Sequence, residues 1–83
     1  MAAITVGATD VVEFDMAGMT NPVIQNLGPG IVYFGVEPDV DDATGVQLAV
    51  GAAYEFRRVF GDGDVIYLIS SQSATSVRTM VVA

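Results

Sequence analysis

The capacity of this chain for chemistry rests on ten carboxylates and a group of hydroxyls, because the usual reactive side chains are missing. Histidine, cysteine and tryptophan are absent, and the three basic residues are all arginine: Arg57, Arg58 and Arg78. Without histidine the commonest general base and metal ligand is gone. Without cysteine there is no thiolate nucleophile, thiolate zinc site or disulfide. Ser70, Ser71, Ser73 and Ser76 cluster, but neither a Ser-His nor a Ser-Lys mechanism can be assembled around them, so they read as the polar trim of a hairpin. Two carboxylates can hydrolyse a glycoside, yet that needs a cleft of several hundred Å³, for which so short a chain has little room. The sequence therefore predicts a protein that is not an enzyme and uses no cofactor.

Three motifs invite a ligand. Asp39-Val40-Asp41-Asp42 offers clustered oxygens to a hard cation, but lacks the glycine and distant glutamate of an EF-hand loop. It reads as solvated loop charge, with a divalent site at Asp39, Asp41 and Asp42 as the alternative. Gly61-Asp62-Gly63-Asp64-Val65-Ile66 matches one fragment of the calcium β-roll repeat, which needs several copies in tandem, so a hairpin turn is expected. Gly28-Pro29-Gly30 has neither the lysine of a P-loop nor the spacing of a dinucleotide loop, and reads as a turn. Tyr33, Phe34, Tyr54, Phe56, Phe60 and Tyr67 fall mostly on predicted strands, where core packing is the default and a sugar-binding platform the alternative.

The elements that must position these residues are strands. Apolar residues mostly alternate with period two, and turn residues interrupt them every 8–12 positions, the pattern of an all-β domain. Strands are predicted at 3–8, 11–16, 23–27, 31–36, 46–50, 54–59, 65–70 and 75–82. In the second, Val12, Phe14 and Met16 face one way, and Glu13 and Asp15 the other. In the fifth, Val46, Leu48 and Val50 point inward; in the last, Val77 and Val81 share one side, and Met80 and Val82 the other. The stretch 48–60 also admits a short helix, since Ala52, Ala53 and Glu55 are good helix formers. Seven to eight short strands make a small antiparallel β-sandwich or barrel, with a jelly roll among its possible forms. Residues 1–83 are read as a single β domain.

Charge and apolar content decide the partners. The net charge is −7, which excludes the phosphate neutralisation that nucleic-acid or anionic-membrane binding requires. No stretch approaches the ~18 apolar residues of a membrane span. The start Met1-Ala2-Ala3-Ile4-Thr5 lacks the basic and apolar regions of a secretory signal, pointing to synthesis in a cytoplasm. Yet 52% of residues are apolar and only 16% charged, against about 25% charged in ordinary domains. Folding alone buries roughly 60% of the surface of so short a chain. The strands 31–36 and 65–70 are apolar on both faces and need a second cover. That cover is either a loop or, as the sequence favours, a neighbouring copy in a closed cyclic oligomer. Contact is expected through Ala2, Ile4, Val32, Phe34, Val36, Ile66 and Leu68, with 1–16 as an N-terminal arm.

The succession Asn26-Leu27-Gly28-Pro29-Gly30-Ile31-Val32-Tyr33-Phe34-Gly35, Thr44-Gly45-Val46-Gln47-Leu48-Ala49-Val50-Gly51 and Gly61-Asp62-Gly63-Asp64-Val65-Ile66-Tyr67 resembles small β-sandwich proteins encoded among the virion structural genes of tailed bacteriophages. The resemblance covers roughly residues 20–82 and consists of turn and core positions, so it carries no functional residues across. It implies a capsid decoration protein on the outside of the head, often a trimer, bound across subunits of the major capsid protein. Two other readings stay open. One is a glycan- or receptor-binding module of a tail or fibre, with Tyr33 or Tyr67 near Asp39–Asp42. The other is a head–tail connector or tail component.

Overall fold

A computed structural model describes residues 2–72 and 74–81, with the side chains of Ala2, Ala3 and Val81 left out. Ser73 and Val82, to which roles were assigned above, lie outside the described residues. The described chain is all-β, with eight strands: β1 Ala2–Val6, β2 Val12–Asp15, β3 Pro22–Gly28, β4 Val32–Gly35, β5 Val46–Leu48, β6 Ala53–Glu55, β7 Val65–Ser70 and β8 Thr75–Val81. The helix admitted for 48–60 does not form; β6 and an irregular stretch occupy it.

Pairing runs as in one long hairpin that has been rolled up. β1 pairs with β8, β2 with β7, β3 with β6 and β4 with β5, all antiparallel. Two further pairings, β3 with β8 and β4 with β7, close the roll. The result is two four-stranded sheets of order β1-β8-β3-β6 and β2-β7-β4-β5, which is the jelly-roll arrangement of an antiparallel sandwich. Between the sheets lie Val6, Met16, Ile24, Val32, Phe34, Leu48, Phe60, Ile66, Leu68 and Val77.

Alternation explains most of this order. Along β7, Ile66, Leu68 and Ser70 are buried and Val65, Tyr67 and Ile69 half-buried; along β3, Pro22, Ile24 and Asn26 go inward. At Gly28 the register against β8 shifts, and its φ of 87° is one that glycine adopts without strain. The turn Gly61–Asp64 has positive φ at Gly63, the third turn position, where a type II turn demands it.

Of the two strands that are apolar on both faces, β4 finds cover within the chain. Val40, in the acidic 37–45 loop, is buried and lies against Gly35, where an added Cβ would meet its Cγ2 at 3.3 Å. The loop folds back over the outer face of β4, and Gly45 fits closely beside Tyr33 and Val40. The outer face of β4 is thus partly covered by the chain's own loop, with Tyr33 and Gly35 half-buried.

Candidate functional site

The hydroxyl cluster forms a structural knot. Asn26, on β3, is fully buried. Its side-chain amide donates to Gly30 O (2.8 Å) and to Leu48 O (2.9 Å) and accepts from Gly28 N–H (2.8 Å). One side chain thereby ties the Gly28-Pro29-Gly30 turn of one sheet to β5 of the other. Beside it, Thr75 donates its hydroxyl proton to Gln72 O (3.0 Å). Ser70 must then be the donor in the 2.6 Å contact between the two hydroxyls, and Gly30 N–H also donates to Thr75 Oγ1. Ser71 Oγ accepts from Ile31 N–H. The neighbour of Ser70 is a hydroxyl with its proton committed elsewhere, and among the described residues no carboxylate is bonded to either oxygen.

The carboxylates are likewise local. Asp41 Oδ1 accepts from Ala43 N–H, Thr44 N–H and the Thr44 hydroxyl, at 2.9, 2.9 and 3.0 Å. These bonds, led by the Thr44 hydroxyl, hold the Asp41 carboxyl below its ordinary pKa against a small opposing effect of desolvation. Asp39, Asp41 and Asp42 do not converge: among the described residues no three His, Cys, Asp or Glu side chains are grouped to hold a metal ion. Asp64 accepts from Gly61 N–H at 2.7 Å and pairs with Arg58 at 3.3 Å, stabilising the turn after β6. On β7, the Tyr67 hydroxyl donates to Glu13 at 3.2 Å. Desolvation first, then Glu13 and the charge of Glu37, push its pKa up.

Of the seven residues expected to meet a neighbour, Val32, Phe34, Ile66 and Leu68 are buried in the core. That assignment is corrected: on strands apolar to both sides, these are the inner face. Ile4 is half-buried against the core, and the side chain of Ala2 lies outside the described residues. Val36 is 72% exposed. β1, within the expected arm, is paired along its length with β8.

The unfinished part of the molecule is its β5–β6 side. Val46 stands opposite Phe34 and Tyr54 opposite Ile24, so both point between the sheets, as cross-strand partners share a face. Yet Val46 is 52% and Tyr54 43% exposed. β5 and β6 are three residues each and end their sheets, too short to seal this flank. Val50, expected inward, is also exposed, leaving Leu48 as the buried member of that trio. Through the opening stands a row of tilted and edge-to-face rings: Phe34–Tyr54 at 5.1 Å, Tyr54–Phe56 at 4.8 Å and Phe56–Phe60 at 5.6 Å between ring centroids.

Two depressions flank the acidic loop. One, of about 420 Å³, opens beside β5 and is lined by Phe34, Gly35, Val36, Glu37, Asp39, Val40, Thr44 and Val46. The other, of about 380 Å³, is lined by Ala8, Tyr33, Asp41, Asp42, Ile69, Ser70 and Ser71. Val46 and Tyr54 were assigned to strands but not to a surface. The bracketing of 46–50 by Gly45 and Gly51 bounds the length of β5, but no sequence signal marks Tyr54 as exposed. Comparisons with protein-family models, with curated proteins and with solved structures gave no match.

Proposed function

We propose that this chain is a non-catalytic structural protein that works by packing its open β5–β6 side onto other polypeptides. Following its resemblance to small phage virion proteins, we place it as a capsid decoration protein. It would associate with itself, as a trimer, and with a major capsid protein on the outside of the head. The observation that carries the packing half of this reading is the half-exposure of Val46 and Tyr54, residues that point into the core and are only half covered by their own chain.

From Val46 to Tyr54 the sequence holds no charged residue, so this flank can meet a second copy despite a net charge of −7. Burial of ~300 Å² of apolar surface would contribute about 7 kcal/mol, comparable with the ~4–15 kcal/mol that association costs. A single such contact is marginal, and repetition around a ring or across a lattice makes it hold. Size-exclusion chromatography with light scattering tests the reading: a stable trimer supports it, while rings of six or more favour a connector. The second depression favours one rival, since it brings Tyr33 beside Asp41 and Asp42, an aromatic next to carboxylates as a glycan site requires. A monomer that binds a glycan array would decide for that rival.

A further inference from the structure

We propose that the groove between the acidic loop and β5 takes an extended, basic segment of a partner protein, with an aliphatic side chain on its floor and lysine or arginine at its rim. The proposal rests on the packing role above and names the chemistry of the partner.

Its floor is apolar, Phe34 and Val40, with Val36 and Val46 exposed at its mouth. Its rim carries Glu37 and Asp39, with Asp41 and Asp42 following in the same loop. No cation pairs with Glu37 or Asp39 among the described residues; the two ion pairs there are Arg57–Glu55 and Arg58–Asp64. An apolar floor inside an uncompensated negative rim selects a ligand that is aliphatic at one atom group and cationic at the next. A second copy suits this groove less well than it suits the uncharged 46–54 flank, because here its net charge of −7 meets Glu37 and Asp39. The extended form follows from β5, which has β4 on one side and ends its sheet on the other, the situation in which a partner strand adds to an edge.

The test is titration of the full-length ¹⁵N-labelled chain with three capped pentapeptides, Lys-Val-Lys-Val-Lys, Ser-Val-Ser-Val-Ser and Glu-Val-Glu-Val-Glu, followed by amide shifts. The basic peptide is expected to move Val36, Val40, Thr44 and Val46 and to bind roughly tenfold more tightly than the acidic one, as about two exposed charge pairs allow. In Glu37→Gln with Asp39→Asn that preference should collapse. In Val46→Ser, whose site is half exposed and so tolerant of the change, all three peptides should weaken. Equal binding of the basic and acidic peptides, or no shift, overturns the proposal. So do shifts at Val36, Val40 and Thr44 that grow with protein concentration alone, which would make the occupant a second copy; Val46, shared with the self-association flank, does not enter that criterion. Shifts confined to Tyr54 and Val50 overturn the groove and leave the packing role standing; that role is judged separately by molar mass.

Discussion

Replacing Asn26 by alanine removes one buried side chain and strands three buried backbone groups. The side chain is wholly enclosed, and its partners are the carbonyls of Gly30 and Leu48 and the amide of Gly28. A buried polar group left without a partner costs about 1–3 kcal/mol, so with three such groups Asn26→Ala should lose about 3–9 kcal/mol. A chain of this length holds roughly 4–12 kcal/mol in all, and the variant is therefore expected at or beyond the edge of unfolding. Urea denaturation followed by circular dichroism supplies the measurement. Asn26→Asp is the companion, because a carboxylate cannot donate to either carbonyl; it should be at least as damaging at neutral pH and recover in part when acid protonates it. Val36→Ser, at an exposed site, should change stability by less than about 0.5 kcal/mol. A loss below about 1 kcal/mol in Asn26→Ala, or an Asn26→Asp variant indifferent to pH, would refute the role given to this residue.

Gly30→Ala should lose about 1–3 kcal/mol, because its Cβ would sit 2.7 Å from Thr75 Oγ1 and 2.9 Å from Gln72 N. A thermal melt should fall by roughly 4–8 °C per kcal/mol lost. The lowered pKa of Asp41 means that its ionised form favours the folded state. That contribution is present above the ordinary carboxylate range and is lost as pH falls through the folded value, so the melting difference between wild type and Asp41→Asn should shrink on acidification. Tyr67 has the opposite sign. Its raised pKa gives a contribution present below ~10 and lost as pH rises through the folded value, so wild type should weaken relative to Tyr67→Phe in strong alkali. Tyr54→Ser should fold and melt cooperatively yet lose self-association, as chromatography with light scattering would report.

Local order was legible where one strand carries a full signal. Val65–Ser70 is seen with the predicted bounds, which the turns on either side mark, and Glu13 and Asp15 face outward from Val12 and Phe14, because alternation encodes the faces. Where both faces are apolar, alternation cannot say which is inner, and Val32, Phe34, Ile66 and Leu68 were assigned to the wrong one. The missing information was the position of Val40, an apolar residue inside an acidic run that reads as solvated loop until the chain folds back over Gly35. The open flank was hidden for a related reason. Val46, Val50 and Tyr54 look like core by type, and only the shortness of β5 and β6, fixed by pairing far along the chain, leaves them half covered. Asn26 gave no sign at all, since one asparagine in an apolar strand shows none of the three partners it reaches.

The packing role stands or falls on the molar mass in solution of the wild-type chain beside Val46→Asp and Tyr54→Asp. The account predicts a wild type at a whole multiple of 8.7 kDa, three in the preferred form, with both variants folded and reduced to single chains. A wild type that stays at one chain mass up to about millimolar concentration, or variants that associate as the wild type does, would contradict it.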